Sequence, residues 1–135
     1  MESTASQGTL YQLTLWIDPN GPLKSGVQYS NGSGNLIITG YGGTIEDIRF
    51  VLDEGQRDIW KFSNFSHNTV LGPGEVNGQP VIEAVSLSDH EIVLKDRLEA
   101  FGRYKYTIQI TAKANGQTYT SDPELQNVHE VRPKP

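Results

Sequence analysis

The sequence predicts an all-β domain, an antiparallel sandwich of seven or eight short strands with a closed barrel as the alternative. Three observations carry this reading. From Tyr104 to Thr111 the chain alternates: Tyr104, Tyr106, Ile108 and Ile110 share one face, while Lys105, Thr107, Gln109 and Thr111 share the other. That period of two marks a strand buried on one side. Asn-Gly, the pair that best tolerates positive φ in tight turns, occurs four times, at residues 20–21, 31–32, 77–78 and 115–116. No stretch shows the 3.6-residue apolar repeat of an amphipathic helix.

Each element follows from the same two signals. Tyr11, Leu13, Leu15 and Ile17 alternate with Gln12, Thr14 and Trp16 in a first strand, stopped by Asp18-Pro19-Asn20-Gly21-Pro22. Val27-Gln28-Tyr29 is a short strand. After Asn31-Gly32-Ser33-Gly34, the run Leu36-Ile37-Ile38 has no polar face and predicts a more buried strand. Ile48, Phe50 and Leu52 mark the next, ended by Asp53-Glu54-Gly55, and Ile59-Trp60-Lys61-Phe62 follows. Ser63–Gln79 is the longest weakly patterned segment; it carries His67, Pro73 between Gly72 and Gly74, and the Asn77-Gly78 turn. Val81–Leu87 and Glu91–Leu94 are two strands around Ser88-Asp89-His90, and Tyr104–Thr111 pairs with Gln117–Thr120 across Asn115-Gly116.

An acidic residue and a glycine, Glu99 and Gly102, precede Tyr104-x-Tyr106. This pattern resembles the penultimate strand of immunoglobulin-like sandwiches, where a tyrosine folds its hydroxyl back onto the preceding corner. The end of the chain carries a second resemblance. Tyr104-Lys105-Tyr106-Thr107-Ile108-Gln109-Ile110, Asn115-Gly116 and then Thr120-Ser121-Asp122-Pro123-Glu124-Leu125-Gln126-Asn127 are similar to the end of small bacterial proteins of the DP-EP family. There the last strand runs into Asp-Pro-x-hydrophobic-x-Asn. Asp122-Pro123, Leu125 and Asn127 keep that pattern. Val128-His129 departs from the acidic-proline pair that follows in the family, and Pro133 and Pro135 come later. The resemblance implies a β-sandwich and a bacterial source and adds no catalytic residue.

At 135 residues the chain suits one domain. We expect a tail at 1–8, a single sandwich at 9–128 and a second tail at 129–135. A net charge of −5 argues against nucleic-acid partners, and arginine and lysine form no basic stripe. The absence of cysteine excludes disulfides, thiol catalysis and thiolate metal sites. Met1–Gly8 has neither the basic nor the apolar region of a secretory leader, and no apolar run approaches the ~20 residues of a membrane span. A cytoplasmic location is the default, with export by another route as the alternative.

Candidate sites are sparse. Asp122-Pro123-Glu124 reads first as a strand exit, in which Asp accepts a backbone hydrogen bond and Pro ends the ladder; as a site it is a recognition edge, or a carboxylate pair that helps hold Ca²⁺, although no loop-ligand spacing accompanies it, with Asp122 and Glu124 as its surface residues. Trp16 falls on the polar face of its strand, so the pattern predicts exposure and makes it the best surface aromatic, whereas Trp60 reads as core. His67, His90 and His129 are far apart and read as solvated loop or tail residues without zinc spacing. Asp53, Glu54 and Asp58, with Glu46 and Asp47 upstream, read as a solvated acidic loop neutralised in part by Arg57 rather than a glycosidase pair. Gly40-Tyr41-Gly42-Gly43-Thr44 lacks the Lys-Ser/Thr of a phosphate loop. The expectation is therefore no catalytic residue, cofactor or metal. We expect a non-enzymatic binding or protein-interaction module, with protein rather than carbohydrate as partner. The alternatives are a homo-oligomeric or particle-associated assembly subunit, pairing through edge strands, and a small carbohydrate-binding domain.

Overall fold

A computed structural model describes residues 7–40, 45–97 and 102–129. Two five-stranded sheets face each other. The first runs β2 (Val27–Tyr29), β1 (Gln7–Ile17), β4 (Ile45–Leu52), β9 (Glu91–Arg97), β8 (Ile82–Leu87). The second is centred on β10 (Gly102–Ala112). One edge of β10 pairs with β5 (Trp60–Leu71). The other pairs first with β11 (Thr118–Ser121) and then with β12 (Glu124–His129), and β12 carries β3 (Leu36–Gly40). β6 (Glu75–Val76) and β7 (Gln79–Pro80) form a separate hairpin. Asn77 and Gly78 have φ of 55° and 78°, the positive values that a two-residue turn of this kind requires.

The core forms because each central strand alternates. Leu13, Leu15 and Ile17 of β1, Ile48, Phe50 and Leu52 of β4, and Ile92 and Leu94 of β9 are buried on the inner face of the first sheet. Tyr104, Tyr106, Ile108 and Ile110 of β10 are buried opposite them, as their spacing predicts. The Phe50 and Tyr106 rings meet across the sandwich at 5.1 Å. Both tyrosine hydroxyls are satisfied. Tyr104 folds back over Gly102, where a Cβ would lie 2.6 Å from its oxygen, and donates to the Pro73 carbonyl at 3.0 Å. Tyr106 donates to the Gly34 carbonyl at 2.9 Å.

Several expectations are corrected. Among the described residues there are twelve strands rather than seven or eight. The sheets are mixed rather than wholly antiparallel: β1 pairs parallel with β4, and β3 with β12. The cause lies in the route of the chain. After the β1–β2 hairpin it crosses to the other sheet as β3 and returns as β4, and a crossover brings strands back in parallel. β3 is an edge strand, so Ile37 is 63% exposed and only Ile38 of its apolar run is fully buried. Ser63–Gln79, weakly patterned in sequence, is strand in its first half, because β5 extends to Leu71. A bulge there shifts the register between Phe62, opposite Ile110, and Asn64, opposite Gln109. It places Phe62, Phe65 and His67 on one face and hides the period of two. Asp122-Pro123 interrupts pairing along β10 but does not end it. β11 and β12 lie end to end on the same edge, and the Pro123 carbonyl still accepts from the Tyr106 amide at 3.1 Å. Gln7, Gly8 and His129, expected in tails, are strand residues; 1–6 and 130–135 lie outside the described residues.

Candidate functional site

The two lateral sides of the sandwich differ. On one, the loop after β2 closes the gap: Tyr106 reaches Gly34, Tyr29 donates to Ser121 Oγ at 2.7 Å, and Asn35 Oδ1 accepts from the Glu124 amide at 2.8 Å. Gly34, at φ 82°, allows this approach, since a Cβ would lie 2.7 Å from the Tyr29 ring.

The other side is open. Among the described residues β5 and β8 are the edges of their respective sheets, each paired along one side only. Between them runs an apolar cleft of about 210 Å³, lined by Phe65, Ala84, Val85, Ser86, Leu87 and Ile92. That is smaller than the roughly 300–1,000 Å³ of a typical small-molecule site and suits a few apolar side chains. The Phe62 amide, donating to the Asp89 carbonyl at 2.8 Å, ties the edges together at one end. Val85 and Leu87 remain 48% and 47% exposed. Natural sheets shield such edges with lysine, proline, bulges or shortness. Ala84–Leu87 holds neither lysine nor proline, and its shield is a bulge between Ala84 and Ser86. His67 sits on the inner face of β5, 6.1 Å from the Phe65 ring and opposite Tyr106. It is half-buried rather than a solvated loop residue, and burial lowers its pKa below the ordinary histidine value.

The residues singled out from the sequence do not converge here. Trp16 is half-buried, not fully exposed, and stands opposite Gln28 in the β1–β2 ladder. Asp122 is exposed, and its Oδ1 accepts from Thr107 Oγ1 at 2.8 Å. Glu124 is half-buried and lies 4.0 Å from Arg103 Nη1. Asp122 and Glu124 therefore sit along the interior β10–β12 pairing, not at a sheet edge, and Trp16 belongs to the other sheet. Trp60 packs against the core, edge-on to Tyr119 at 5.2 Å. In the acidic loop, Asp53 Oδ2 caps a short 3-10 turn by accepting from the Gly55 amide at 3.1 Å. Arg57 Nε donates to the Leu52 carbonyl at 2.9 Å, so a backbone oxygen occupies it. His90 is half-buried beside the β8–β9 turn, and residues 41–44 of the glycine-rich stretch lie outside the described residues. Among the described residues no three His, Asp or Glu side chains come together as metal ligands.

Sequence reasoning missed a buried polar joint. Asp96 on β9 and Asn127 on β12 are both 0% exposed, and Asn127 Nδ2 donates to Asp96 Oδ1 at 2.7 Å. Glu46, 4% exposed, stands directly opposite Asp96 in the β4–β9 ladder. Burial raises the Asp96 pKa to about 7; the Asn127 bond opposes the rise and the Glu46 charge adds to it. The signal was present: extending the Ile92–Leu94 alternation by two residues turns Asp96 inward.

No family model matches the chain, and no curated protein matches it. Among solved structures, it is similar to a cysteine protease inhibitor from Entamoeba histolytica, with 10% identity over 89% of this chain and 96% of that one, at a TM-score of 0.39.

Proposed function

We propose that this protein is a non-enzymatic interaction module whose partner is an extended peptide segment added as a further strand to β8. The observation that carries the reading is the open side of the sandwich. There an edge without lysine or proline borders an apolar cleft, whereas the opposite side is closed by its own loop. Free backbone groups on β8 supply hydrogen bonds, and the cleft takes alternate apolar side chains of the incoming strand, as in strand addition generally. The immunoglobulin-like reading supports this role, because such sandwiches present edges and loops on a rigid scaffold.

A displayed library of extended peptides with apolar residues at alternate positions tests the proposal. Binders should shift the amide resonances of Ala84–Leu87 and Phe65, and Leu87→Lys should weaken them at least tenfold while leaving the fold intact. Binders that map to Trp16 or to Asp122 and Glu124 would refute the cleft. Concentration-dependent self-association blocked by Leu87→Lys would replace the peptide with a second copy of the chain, the assembly-subunit reading.

A further inference from the structure

Along β9, Ile92, Leu94 and Asp96 point inward in turn, all 0% exposed. A carboxyl thus occupies a position that alternation reserves for an apolar side chain. On β12, Asn127 follows Leu125 in the same way. The two side chains meet between the sheets through the Nδ2–Oδ1 bond already described. The second polar atom of each, Asp96 Oδ2 and Asn127 Oδ1, is buried and has no hydrogen-bond partner among the described residues. With Asp96 ionised, both are acceptors and neither can satisfy the other. Buried polar atoms are rarely left so, and two orphans within one bonded pair call for a common cause. A proton on Asp96 Oδ2 supplies it: the carboxyl becomes a donor, and the amide oxygen of its own partner is the free acceptor.

The surroundings favour the neutral form. β4 contributes the Glu46 carboxyl directly opposite, and β8 contributes apolar Ile82 on the other side. From β10 comes the Tyr104 phenol, raised above its ordinary value first by burial and then by Asp96. The cations beside Asp96 on its own strand are engaged elsewhere. Lys95 Nζ lies 3.5 Å from Asp47, and Arg97 Nη1 donates to Glu83 at 2.8 Å and to the Pro80 carbonyl at 3.1 Å.

We propose that Asp96 is held as the neutral acid, joined to Asn127 by two reciprocal hydrogen bonds, and that this pair is a proton-operated latch between β9 and β12. Ionisation sends the proton to solvent, converts Oδ2 back to an acceptor and places a second negative charge beside Glu46. The pKa of about 7 in the folded chain stands above the ~4 of an unfolded aspartate. The latch therefore contributes fully below the unfolded value and is lost as pH rises through the folded one. Across that window the folded-to-unfolded ratio falls up to tenfold per pH unit.

Carbon-detected NMR of the intact chain, following the Asp96 carboxyl carbon from pH 4 to 9, tests this directly. A neutral-acid resonance at pH 5.5 that titrates near 7 is expected, with denaturation midpoints falling over the same range. Asp96→Asn keeps the shape and places an N–H where the proton was, so its midpoint should lose this pH dependence. A carboxylate resonance at pH 5.5 with titration near 4 would overturn the latch. So would Asp96→Asn with the wild-type pH dependence. Millimolar Ca²⁺ that raises the melting temperature of the wild type but not of Asp96→Asn would also overturn it, assigning the two oxygens to a cation. If Asp96→Asn does not fold, the titration of the wild-type carboxyl decides alone.

Discussion

Replacing Tyr106 by Phe removes one oxygen from the middle of the molecule and little else. Tyr106 is 1% exposed, and its ring contacts, Phe50 at 5.1 Å and Phe65 at 6.0 Å, survive the change. What disappears is the 2.9 Å bond to the Gly34 carbonyl, which fastens the loop after β2 over the closed side of the sandwich. A neutral hydrogen bond contributes about 0.5–1.5 kcal/mol net, and a buried acceptor left unpaired costs about 1–3 kcal/mol. Gly34 is buried, so the second figure governs and about 2 kcal/mol is expected. Urea unfolding followed by tryptophan fluorescence reads this directly. With a slope of roughly 2 kcal/mol/M for a domain of this size, the midpoint should drop by about 1 M at unchanged slope. The alkaline limb provides an independent check. Burial raises the phenol of Tyr106 well above 10, and that of Tyr29 is raised as well, chiefly by burial. Their stabilisation is complete below the unfolded value near 10 and is lost as pH rises beyond it. Tyr106→Phe should therefore lose less stability between pH 10 and 11.5 than the wild type does. A midpoint shift below roughly 0.2 M, or an alkaline limb identical to that of the wild type, would refute the reasoning.

Two further expectations concern β10 and β12. Ile108→Ala, at a 0% exposed position, should cost about 2–5 kcal/mol by chemical denaturation. Gln109→Ala, on the outer face, should stay within about 0.5 kcal/mol, and equal effects would mean that the strand is buried on both sides. Removing the chain from Asp122 onward deletes β12 with buried Leu125 and Asn127 and should lower the thermal midpoint clearly, whereas ending it after Val131 should leave the midpoint nearly unchanged. Unfolding on loss of Arg132–Pro135 alone would assign that tail a structural or binding role.

How much could be read in advance depended on whether a strand had two different faces. β1, β4 and β10 each carry one buried and one wetter side, so their alternation is written in residue type. β5 carries the same inward set, Phe62, Phe65 and His67, but the bulge breaks the spacing, and polar Ser63, Asn64, Ser66 and Asn68 dominate its composition. β3 misleads in the opposite sense. Leu36-Ile37-Ile38 looks buried on both faces, yet at the sheet edge Ile37 meets solvent. At Asp122-Pro123-Glu124 the expected strand exit is only an interruption: Pro123 lacks an amide hydrogen, but β12 resumes pairing at Glu124, and Asp122 accepts from the Thr107 side chain rather than from a backbone amide. The cleft was not legible, since Phe65 and Leu87 are distant in sequence and become neighbours only when β5 and β8 are the edges on the same side.

Local sequence alone determined the all-β class, the principal turns and the inward face of the central strands. Each of these depends on φ preference or on alternation within a few residues, which neighbours along the chain settle between themselves. The tertiary structure decided which strands lie at the edges, which pair in parallel and which polar groups are enclosed. Those outcomes depend on crossovers and on the opposing sheet. Asp96 and Asn127 lie 31 positions apart, and their joint exists only because the route of the chain lays β9 and β12 face to face across the core.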